Sequence, residues 1–221
     1  RWYHEQVWGD RELHRLAQRD YELDASGGFA AAEQEHLNHL FTCLGRAKIL
    51  CVTRVLDNGS DRINAAMHRR AAHDLSRDPE RTRFFPGEPV IVLHNDYERR
   101  LFNGDQGLVL RVRDGSAKRP TSMVVFARDG HFVAFGLDLL REELELCYAM
   151  TVHKAQGSEF DAIALILPDK DLPLLTREVV YTGISRARHS AVMIGRPEML
   201  RLAISRKLER YSGLDEMLAM V

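Results

Sequence analysis

Hydrophobic positions in the first 85 residues follow two different spacings. Apolar residues within 37–44 recur at i, i+3, i+4 and i+7, which predicts an amphipathic helix with a C-cap at Gly45. The run KILCVTR (48–54) is almost continuously apolar, as in a strand that is buried on both faces of a parallel sheet. Helical spacing resumes over 63–75, so the sequence predicts a strand–turn–helix unit.

From Pro86 to about Leu146 the pattern changes to short apolar runs separated by turn residues. The segments MVVFA (123–127) and HFVAF (131–135) flank the dipeptide Asp129-Gly130, which is typical of a tight hairpin turn. Several short antiparallel strands within about 60 residues predict a small β-barrel rather than further βα layers.

A βα rhythm returns after this segment. The remaining predicted elements are a helix at 10–21, strands at 146–152, 163–168 and 191–195, and helices near 178–188 and 197–206. Pro197 occupies the first turn of the last predicted helix, where proline is favoured. The whole pattern predicts an α/β domain with a parallel sheet, interrupted by a small β-barrel.

Composition fits a globular protein, with 45% hydrophobic and 29% charged residues and a net charge of −1. No apolar run approaches the roughly 20 residues that span a bilayer, and no signal peptide is present, so we expect a cytoplasmic protein without membrane partners. The first residue is Arg1, which we expect of a processed or recombinant segment. Cys43, Cys51 and Cys147 lack CxxC spacing and are predicted to be reduced core thiols. The histidines show no ligand spacing, so no metal site is predicted.

Positive charge is concentrated towards the end of the sequence. Between residues 177 and 210, eight lysine and arginine residues accompany three glutamates. Such an excess fits contacts to phosphates, and it equally fits a solvated helix face that is balanced by acids elsewhere in the fold. Composition alone leaves both interpretations open.

A dense set of polar residues follows the predicted strand 146–152. Its members are Thr151, His153, Lys154, Gln156, Gly157, Ser158 and Glu159. Open α/β sheets place ligand sites at the carboxyl ends of their strands, and Gly157 would allow a ligand to approach the backbone closely. Any one of these residues is ordinary in a loop, but the whole set is an unusual packing solution and indicates a functional site.

Arg186 and Arg188 form a second candidate site. A guanidinium group carries a fixed charge and a planar fork of donors, which suits the charge on a phosphoryl group in transfer. Two cations at the end of a predicted helix would also offset the helix dipole, and composition alone favours this structural role.

Four segments occur in a characteristic order: KILCVTR, FFPGEPVIVLHNDYERRLFNGDQG, AMTVHKAQGSEFD and LLTREVVYTGISRAR. In this order and spacing they resemble the C-terminal part of the RecD-type superfamily 1 DNA helicases, the family of exodeoxyribonuclease V alpha subunits. The resemblance extends from about residue 37 to the segment SRKLERYSGL (205–214), and residues 1–36 match only loosely.

The resemblance implies a division into three parts. Residues 1–36 would form a helical linker. Residues 37–85 and 147–221 would form a RecA-like (P-loop NTPase-like) second motor domain. Residues 86–146 would form an SH3-like barrel inserted into that domain, with a surface that guides DNA.

The resemblance also implies roles for individual residues. Arg186 is the expected arginine finger for ATP hydrolysis, with Arg188 as a supporting cation. The expected nucleotide contacts are Gln156, Gly157, Glu159, Arg188 and Arg54. The expected DNA contacts are Thr151, His153, Lys154 and Asn95.

One element of such a motor has no counterpart in the sequence. No GxxxxGK[ST] motif occurs, so the chain has no phosphate-binding loop. Pro168 intervenes before Asp169, which makes Asp169 a poor match to a metal-binding acid. We therefore expect ATP and Mg²⁺ to be held mainly by a first motor domain, and we expect no ATP hydrolysis by this chain alone.

The implied function is the second motor domain of an ATP-dependent DNA helicase that acts in recombination and double-strand-break repair. The implied partners are single-stranded and duplex DNA and the RecB and RecC subunits. A free-standing RecD-like helicase or a relaxase-type helicase is an alternative. Another alternative is a non-enzymatic binding module in which the predicted barrel is an SH3-like or Tudor-like adaptor.

Overall fold

The computed structural model describes residues 2–8, 11–115 and 117–207. The helices are a π-helical turn at His4–Trp8, α1 (Arg11–Gln18), α2 (Ala31–Arg46), α3 (Ser60–Asp74), α4 (Leu137–Leu140), a 3₁₀ turn at Arg141–Glu143, α5 (Arg177–Ile184) and α6 (Pro197–Ser205). The strands are β1 (Asp20–Glu22), β2 (Ala47–Cys51), β3 (Pro89–Val92), β4 (Gln106–Arg113), β5 (Thr121–Arg128), β6 (His131–Gly136), β7 (Leu144–Leu146), β8 (Ala149–Thr151), β9 (Phe160–Ile166) and β10 (Ala187–Ile194). Each helix within the described ranges is too short or too polar to cross a bilayer.

A four-stranded parallel sheet has the strand order β10-β9-β2-β8. Its central pairing places Ile49 of β2 level with Ala164 of β9 on one side and with Ala149 of β8 on the other. Helix α5 follows β9 and leads into β10, which is the pattern of a βαβ unit. These parallel strands confirm the predicted α/β class, and their arrangement fits a RecA-like domain.

Strand β2 explains the continuous apolar run in the sequence. All five of its residues are buried. Ile49 and Cys51 belong to a core cluster that includes Leu40 of α2, whereas Leu50 belongs to a second cluster on the side of α5 and α6. A strand that is covered on both faces has no reason to alternate between apolar and polar residues.

A second sheet, mainly antiparallel, contains the strands of the inserted segment in the order β6-β5-β4-β3-β7. The predicted hairpin is confirmed, because Arg128 pairs with His131 across the turn. Asp129 and Gly130 have φ angles of 45° and 79°, so both central residues take the left-handed conformation that a type I′ turn requires.

The hydrogen bonds between the described strands form an open path with β6 and β7 on the outside. The antiparallel sheet is therefore confirmed, whereas this pairing does not show the closure expected of an SH3-like barrel. Strand β1 joins the sheet from the N-terminal segment and pairs with β4 in parallel, with Tyr21 level with Val112. Residues from the N-terminal segment thus share a core with both sheets.

Three predicted element ends were wrong. Helix α1 ends at Gln18 and not near Tyr21, because Tyr21 lies in β1 and pairs with β4. Gly45 lies inside α2, which continues to Arg46, and the next residue, Ala47, is already extended with φ −141° and ψ 144°. Because the chain passes directly from helix to strand, no left-handed glycine cap is required. Helix α5 ends at Ile184, so Arg188 belongs to β10 and not to the end of a helix.

The single strand predicted at 146–152 is two strands in different sheets. Strand β7 pairs with β3 in the antiparallel sheet, and β8 pairs with β2 in the parallel sheet. Cys147 and Tyr148 make the passage between them, and both are buried. Burial at the junction of two sheets produces the same apolar run as burial within one sheet.

The predicted domain boundaries and the roles of the individual parts stay predictions. Residues 208–214 of the segment SRKLERYSGL lie outside the described residues. Cys43, Cys51 and Cys147 are all buried free thiols, as predicted. Burial raises the pKa of the Cys51 thiol to about 12, which keeps it protonated.

Candidate nucleotide and nucleic-acid site

Residues 152–159 connect two opposite edges of the parallel sheet. Thr151 is level with Cys51 at the carboxyl end of β2. Ala162 is level with Ala47 at the amino end of β2, and β9 begins two residues before it. From this register, the two ends of the connecting segment are about 20 Å apart along the strands, at about 3.3 Å per residue. We expected all the polar residues of 151–159 to lie at the carboxyl ends of the strands. The register places only those at the start of the segment, Thr151, His153 and Lys154, at this edge.

The connecting segment is a compact turn with its own hydrogen bonds. The Ala155 amide donates to Thr151 O at 3.1 Å, and the Ser158 amide donates to Ala155 O at 3.1 Å. The Ala155 side chain is fully buried and anchors the turn in the core. Gly157 has φ +85°, a left-handed conformation that strains any other residue. The turn is thus a defined connection and not a loose loop.

The carboxyl edge carries the first of the predicted DNA contacts. Thr151 is half-buried and ends β8, and its Oγ1 accepts a hydrogen bond from the Lys154 amide at 3.3 Å. The His153 side chain is exposed. Lys154 Nζ lies 3.6 Å from Glu145 Oε2, so the charge of this lysine is partly balanced within the protein.

Arg54 also lies at the carboxyl edge and forms an ion pair with the same carboxylate, that of Glu145. Its Nη2 donates to Glu145 Oε1, and its Nε lies 3.2 Å from each carboxylate oxygen of Asp61. Glu145 and then Asp61 are the main causes that raise the pKa of Arg54 above its ordinary value. Arg54, predicted as a nucleotide contact, is thus brought together with Thr151 and Lys154, which were predicted as DNA contacts.

A close backbone approach fixes the position of Arg54. After β2 the chain turns into α3, and the Asp61 amide donates to Arg54 O at 3.1 Å. A Cβ atom at Gly59 would lie 2.1 Å from Arg54 O, which no packing tolerates. Glycine is therefore required at position 59 for the turn that holds Arg54 beside Asp61.

Arg186 lies at the amino edge, where α5 ends and β10 begins. Its Nε donates to Thr182 O at 3.2 Å, Nη1 to Ser158 O at 3.4 Å and Nη2 to Ser185 Oγ at 3.2 Å. The side chain is half-buried. All three of these partners are neutral oxygen atoms, so they orient the guanidinium group without cancelling its charge.

Arg188 and Glu159 form an exposed ion pair at the same edge. Arg188 Nε donates to Glu159 Oε2 at 3.1 Å, and the two side chains are 57% and 59% exposed. Arg188 Nη1 is also 4.0 Å from Asp161 Oδ1. The structure therefore brings together Glu159, Arg186 and Arg188, which the sequence had placed in two separate motifs.

Two other predicted site residues lie apart from these groups. Gln156 is exposed on the turn between the edges, and its amide donates to His153 O at 3.2 Å. Asn95 lies in the loop between β3 and β4, where its side chain contacts Tyr97 OH at 3.3 Å and the Asn103 amide at 2.8 Å. These contacts stabilise the loop and do not connect Asn95 to the other predicted DNA contacts.

Sequence reasoning missed Asp61 and Glu145. Asp61 lies seven residues after Arg54 across a turn, and Glu145 lies far away in sequence, in a strand of the other sheet. No local pattern marks Glu145, because it reaches the carboxyl edge only through the tertiary arrangement of the two sheets. Among the described residues, no three His, Cys, Asp or Glu side chains form a group that could hold a metal ion.

Comparisons with known proteins agree with the resemblance that the sequence motifs show. Residues 146–194 match the UvrD-like helicase C-terminal domain family. The RecBCD enzyme subunit RecD of Mycolicibacterium smegmatis is 33% identical over 175 residues, which is 79% of this chain and 30% of that protein. The chain belongs to the RecD-type superfamily 1 helicases. It corresponds to their C-terminal part and spans about 30% of the length of this curated relative.

A second RecD-type relative is a helicase from another bacterium. The ATP-dependent RecD2 DNA helicase of Deinococcus radiodurans is 37% identical over 125 residues, which is 56% of this chain and 16% of that protein. Among solved structures, the Pif1 helicase from Candida albicans aligns with 98% of this chain and 59% of that chain, at a TM-score of 0.45 and 12% identity. The family assignment rests on the sequence relatives and not on this structural alignment.

Proposed function

We propose that this chain is the second motor domain of a RecD-type DNA helicase and supplies Arg186 as the arginine finger. One observation carries the proposal: the two sequence motifs meet at the amino edge of the parallel sheet. Arg186 donates to the backbone of Ser158, and Arg188 donates to the Glu159 carboxylate. Residues from both motifs are thus available to the same ligand.

The surroundings of Arg186 suit a transferring phosphoryl group. Catalysis of phosphoryl transfer consists largely of positioning and of stabilising the negative charge that the transition state distributes over oxygen atoms. A guanidinium group held by three neutral oxygen atoms keeps its full charge and has a restricted orientation. Arg188 is exposed and shares its charge with Glu159, which suits a supporting cation.

Nucleic acid would bind at the opposite edge in this proposal. Thr151, His153 and Lys154 lie at the carboxyl end of β8, and a hydroxyl group, an imidazole and an ammonium group are typical partners of backbone phosphates. The turn at 152–159 connects this edge to Glu159. Because Ala155 anchors the turn in the core, a shift at one edge would be transmitted to the other.

The chain supplies only part of an ATP site. ATP with Mg²⁺ would be held mainly by a first motor domain with a phosphate-binding loop, because the sequence has no such motif. The exposed residues Gln156 and Glu159 and the arginines at the amino edge fit a ligand that binds between two domains. We expect no ATP turnover by the 221-residue chain alone.

The RecBCD enzyme subunits among the relatives support a proposal for the wider role. In this proposal the full protein unwinds DNA in recombination and double-strand-break repair and binds RecB and RecC subunits. The antiparallel sheet would be the SH3-like part, with Asn95 on the loop between β3 and β4 as a DNA contact. The alternative is a free-standing RecD-like helicase that acts without RecB and RecC subunits.

Removing the guanidinium group of Arg186 from the full-length protein tests the proposal. Arg186→Ala is expected to lower DNA-stimulated ATP turnover by about 10³-fold or more while single-stranded DNA binding is retained. The matched control is Arg201→Ala, because Arg201 is exposed on α6 and, among residues up to 207, its ion pair is with Glu198 one helical turn away at 3.9 Å. Normal turnover in Arg186→Ala would refute the assignment of the finger.

A further inference from the structure

The Glu145 carboxylate contacts two cations that follow different strands of the parallel sheet. Its Oε1 accepts from Arg54, which follows β2, and its Oε2 lies 3.6 Å from Lys154 Nζ, which follows β8. Glu145 is 29% exposed, whereas Arg54 and Lys154 are 51% and 34% exposed. The three groups are therefore half-shielded from water, yet a ligand can still reach them.

Strand pairing fixes the backbone of Glu145. Glu145 lies in β7 and pairs with Ile91 of β3, so it belongs to the antiparallel sheet. Both of its cationic partners belong to the parallel sheet domain. A small cavity of about 20 Å³ lies at this junction and is lined by Thr151 together with the three charged residues.

A carboxylate that bridges two cations presents the same chemistry as two oxygen atoms of a phosphate group. Phosphates and carboxylates both bind arginine and lysine through charge-assisted hydrogen bonds. Arg54 and Lys154 carry two positive charges at this edge. The Asp61 carboxylate balances one of them, and the Glu145 carboxylate balances the other. Without Glu145 the edge would carry an uncompensated positive charge beside Thr151.

We propose that Arg54 and Lys154 form a phosphate-binding site that the Glu145 carboxylate occupies until a phosphate displaces it. The proposal rests on the proposed function for its natural ligand, which is the backbone phosphate of single-stranded DNA next to Thr151. A nucleotide phosphate has the same chemistry and is distinguished by experiment. Glu145 then sets the affinity of the site, because every phosphate must first displace a carboxylate.

The test compares Glu145→Gln with Glu142→Gln in the 221-residue chain. Glutamine keeps the size of the side chain and removes its charge. Glu142 lies three residues earlier, is 88% exposed and pairs with Arg83 at 3.0 Å, so its variant changes the net charge equally without touching the site. Binding is measured by fluorescence anisotropy with labelled oligothymidylate over a range of salt concentrations, and in parallel with a labelled adenine nucleotide and with inorganic tripolyphosphate.

Glu145→Gln is expected to raise the affinity for oligothymidylate about fivefold at low salt, the effect of one unit charge at about 4 Å in water. Glu142→Gln should change the affinity less than twofold. Equal effects of the two variants, or a loss of affinity in Glu145→Gln, would overturn the proposal.

The three probes separate the possible sources of the phosphate. If Glu145→Gln raises the affinity for oligothymidylate, the site is assigned to the DNA backbone. If it raises the affinity for the nucleotide alone, the site is assigned to nucleotide phosphate. A gain for tripolyphosphate alone supports the phosphate site but contradicts the DNA contact in the proposed function. A gain for none of the probes overturns the phosphate site and leaves the assignment of Arg186 unaffected.

Lys154→Gln provides a second test that does not depend on the stability of Glu145→Gln. This variant should reduce the salt dependence of oligothymidylate binding by about 0.7. In the double variant Glu145→Gln/Lys154→Gln, the gain in affinity for oligothymidylate should be smaller than in Glu145→Gln alone. One of the two cations that Glu145→Gln releases is then absent. An unchanged salt dependence in Lys154→Gln would contradict the proposal.

Discussion

The carboxyl and amino edges of the parallel sheet differ in how they are connected to the rest of the molecule. At the carboxyl edge, Glu145 of the antiparallel sheet contacts both Arg54 and Lys154. At the amino edge, the contacts of Arg186 and Arg188 stay within the segments 158–161 and 182–185. The carboxyl edge is thus a junction between two sheets, whereas the amino edge is a local arrangement.

This difference separates structural from functional effects of mutations. A change that moves the backbone at the carboxyl edge disturbs the turn after β2, in which Gly59 lies against Arg54 O. A change at the amino edge removes a charge from an accessible surface and leaves the core intact. We expect large stability losses from the first kind of change and mainly functional losses from the second.

The largest effect is expected for Gly59→Ala at the carboxyl edge. The added Cβ would lie 2.1 Å from Arg54 O, so the backbone after β2 must move. We expect a loss of about 3 kcal/mol in the free energy of unfolding, at the upper end for overpacked sites. Urea denaturation followed by circular dichroism measures this loss.

Gly157→Ala is the matched control for Gly59→Ala. Nothing lies within 4 Å of a Cβ at Gly157, so its cost comes only from the φ of +85°. That strain amounts to about 1 kcal/mol. If Gly157→Ala were the more damaging of the two, the carboxyl edge would not be the structurally constrained one.

A smaller effect is expected for a buried link between the sheets. His68 of α3 lies 2.9 Å from Glu88 Oε1, and Tyr148 OH donates to the same oxygen at 3.2 Å. Glu88 is only 1% exposed and immediately precedes β3. Replacing His68 by Gln should cost about 2 kcal/mol, the value for a hydrogen bond to a charged group.

The pH dependence of stability provides an independent measure of this link. The hydrogen bond to Glu88 raises the pKa of His68 above its ordinary value. A raised pKa means that the native state binds the proton more tightly, so this stabilisation is fully present below about pH 6.5 and is lost as pH rises through the native pKa. The difference in unfolding free energy between the protein and His68→Gln should therefore decrease above about pH 6.5. A difference that grows with pH would contradict this account.

The smallest effect on stability is expected for Arg188→Gln at the amino edge. Its ion pair with Glu159 is more than half exposed, and such pairs contribute about 0.5 kcal/mol or less. The unfolding midpoint in urea should hardly change, while ATP turnover of the full-length protein should fall. A stability loss as large as that of His68→Gln would show that the amino edge is not merely local.

The periodic elements could be predicted from the sequence because their signals are local. The spacing within 37–44 predicted α2, and Asp129-Gly130 predicted the hairpin between β5 and β6. Gly45 was misjudged because a glycine near a helix end usually marks a cap, whereas here the chain enters β2 without a turn. The run at 146–152 could not be divided from the sequence, since burial in either sheet selects the same apolar residues.

The sequence by itself determined the family and the two motifs that carry the candidate chemistry, since these depend on residue types at short spacings. Only the tertiary structure decided where those residues lie. It placed Arg186 next to the turn that ends at Glu159, and it separated Thr151 from that group by the length of the sheet. It also brought Glu145 from the other sheet to Arg54 and Lys154. Parallel strands impose this division, because a connection between two of them must cross from one edge of the sheet to the other.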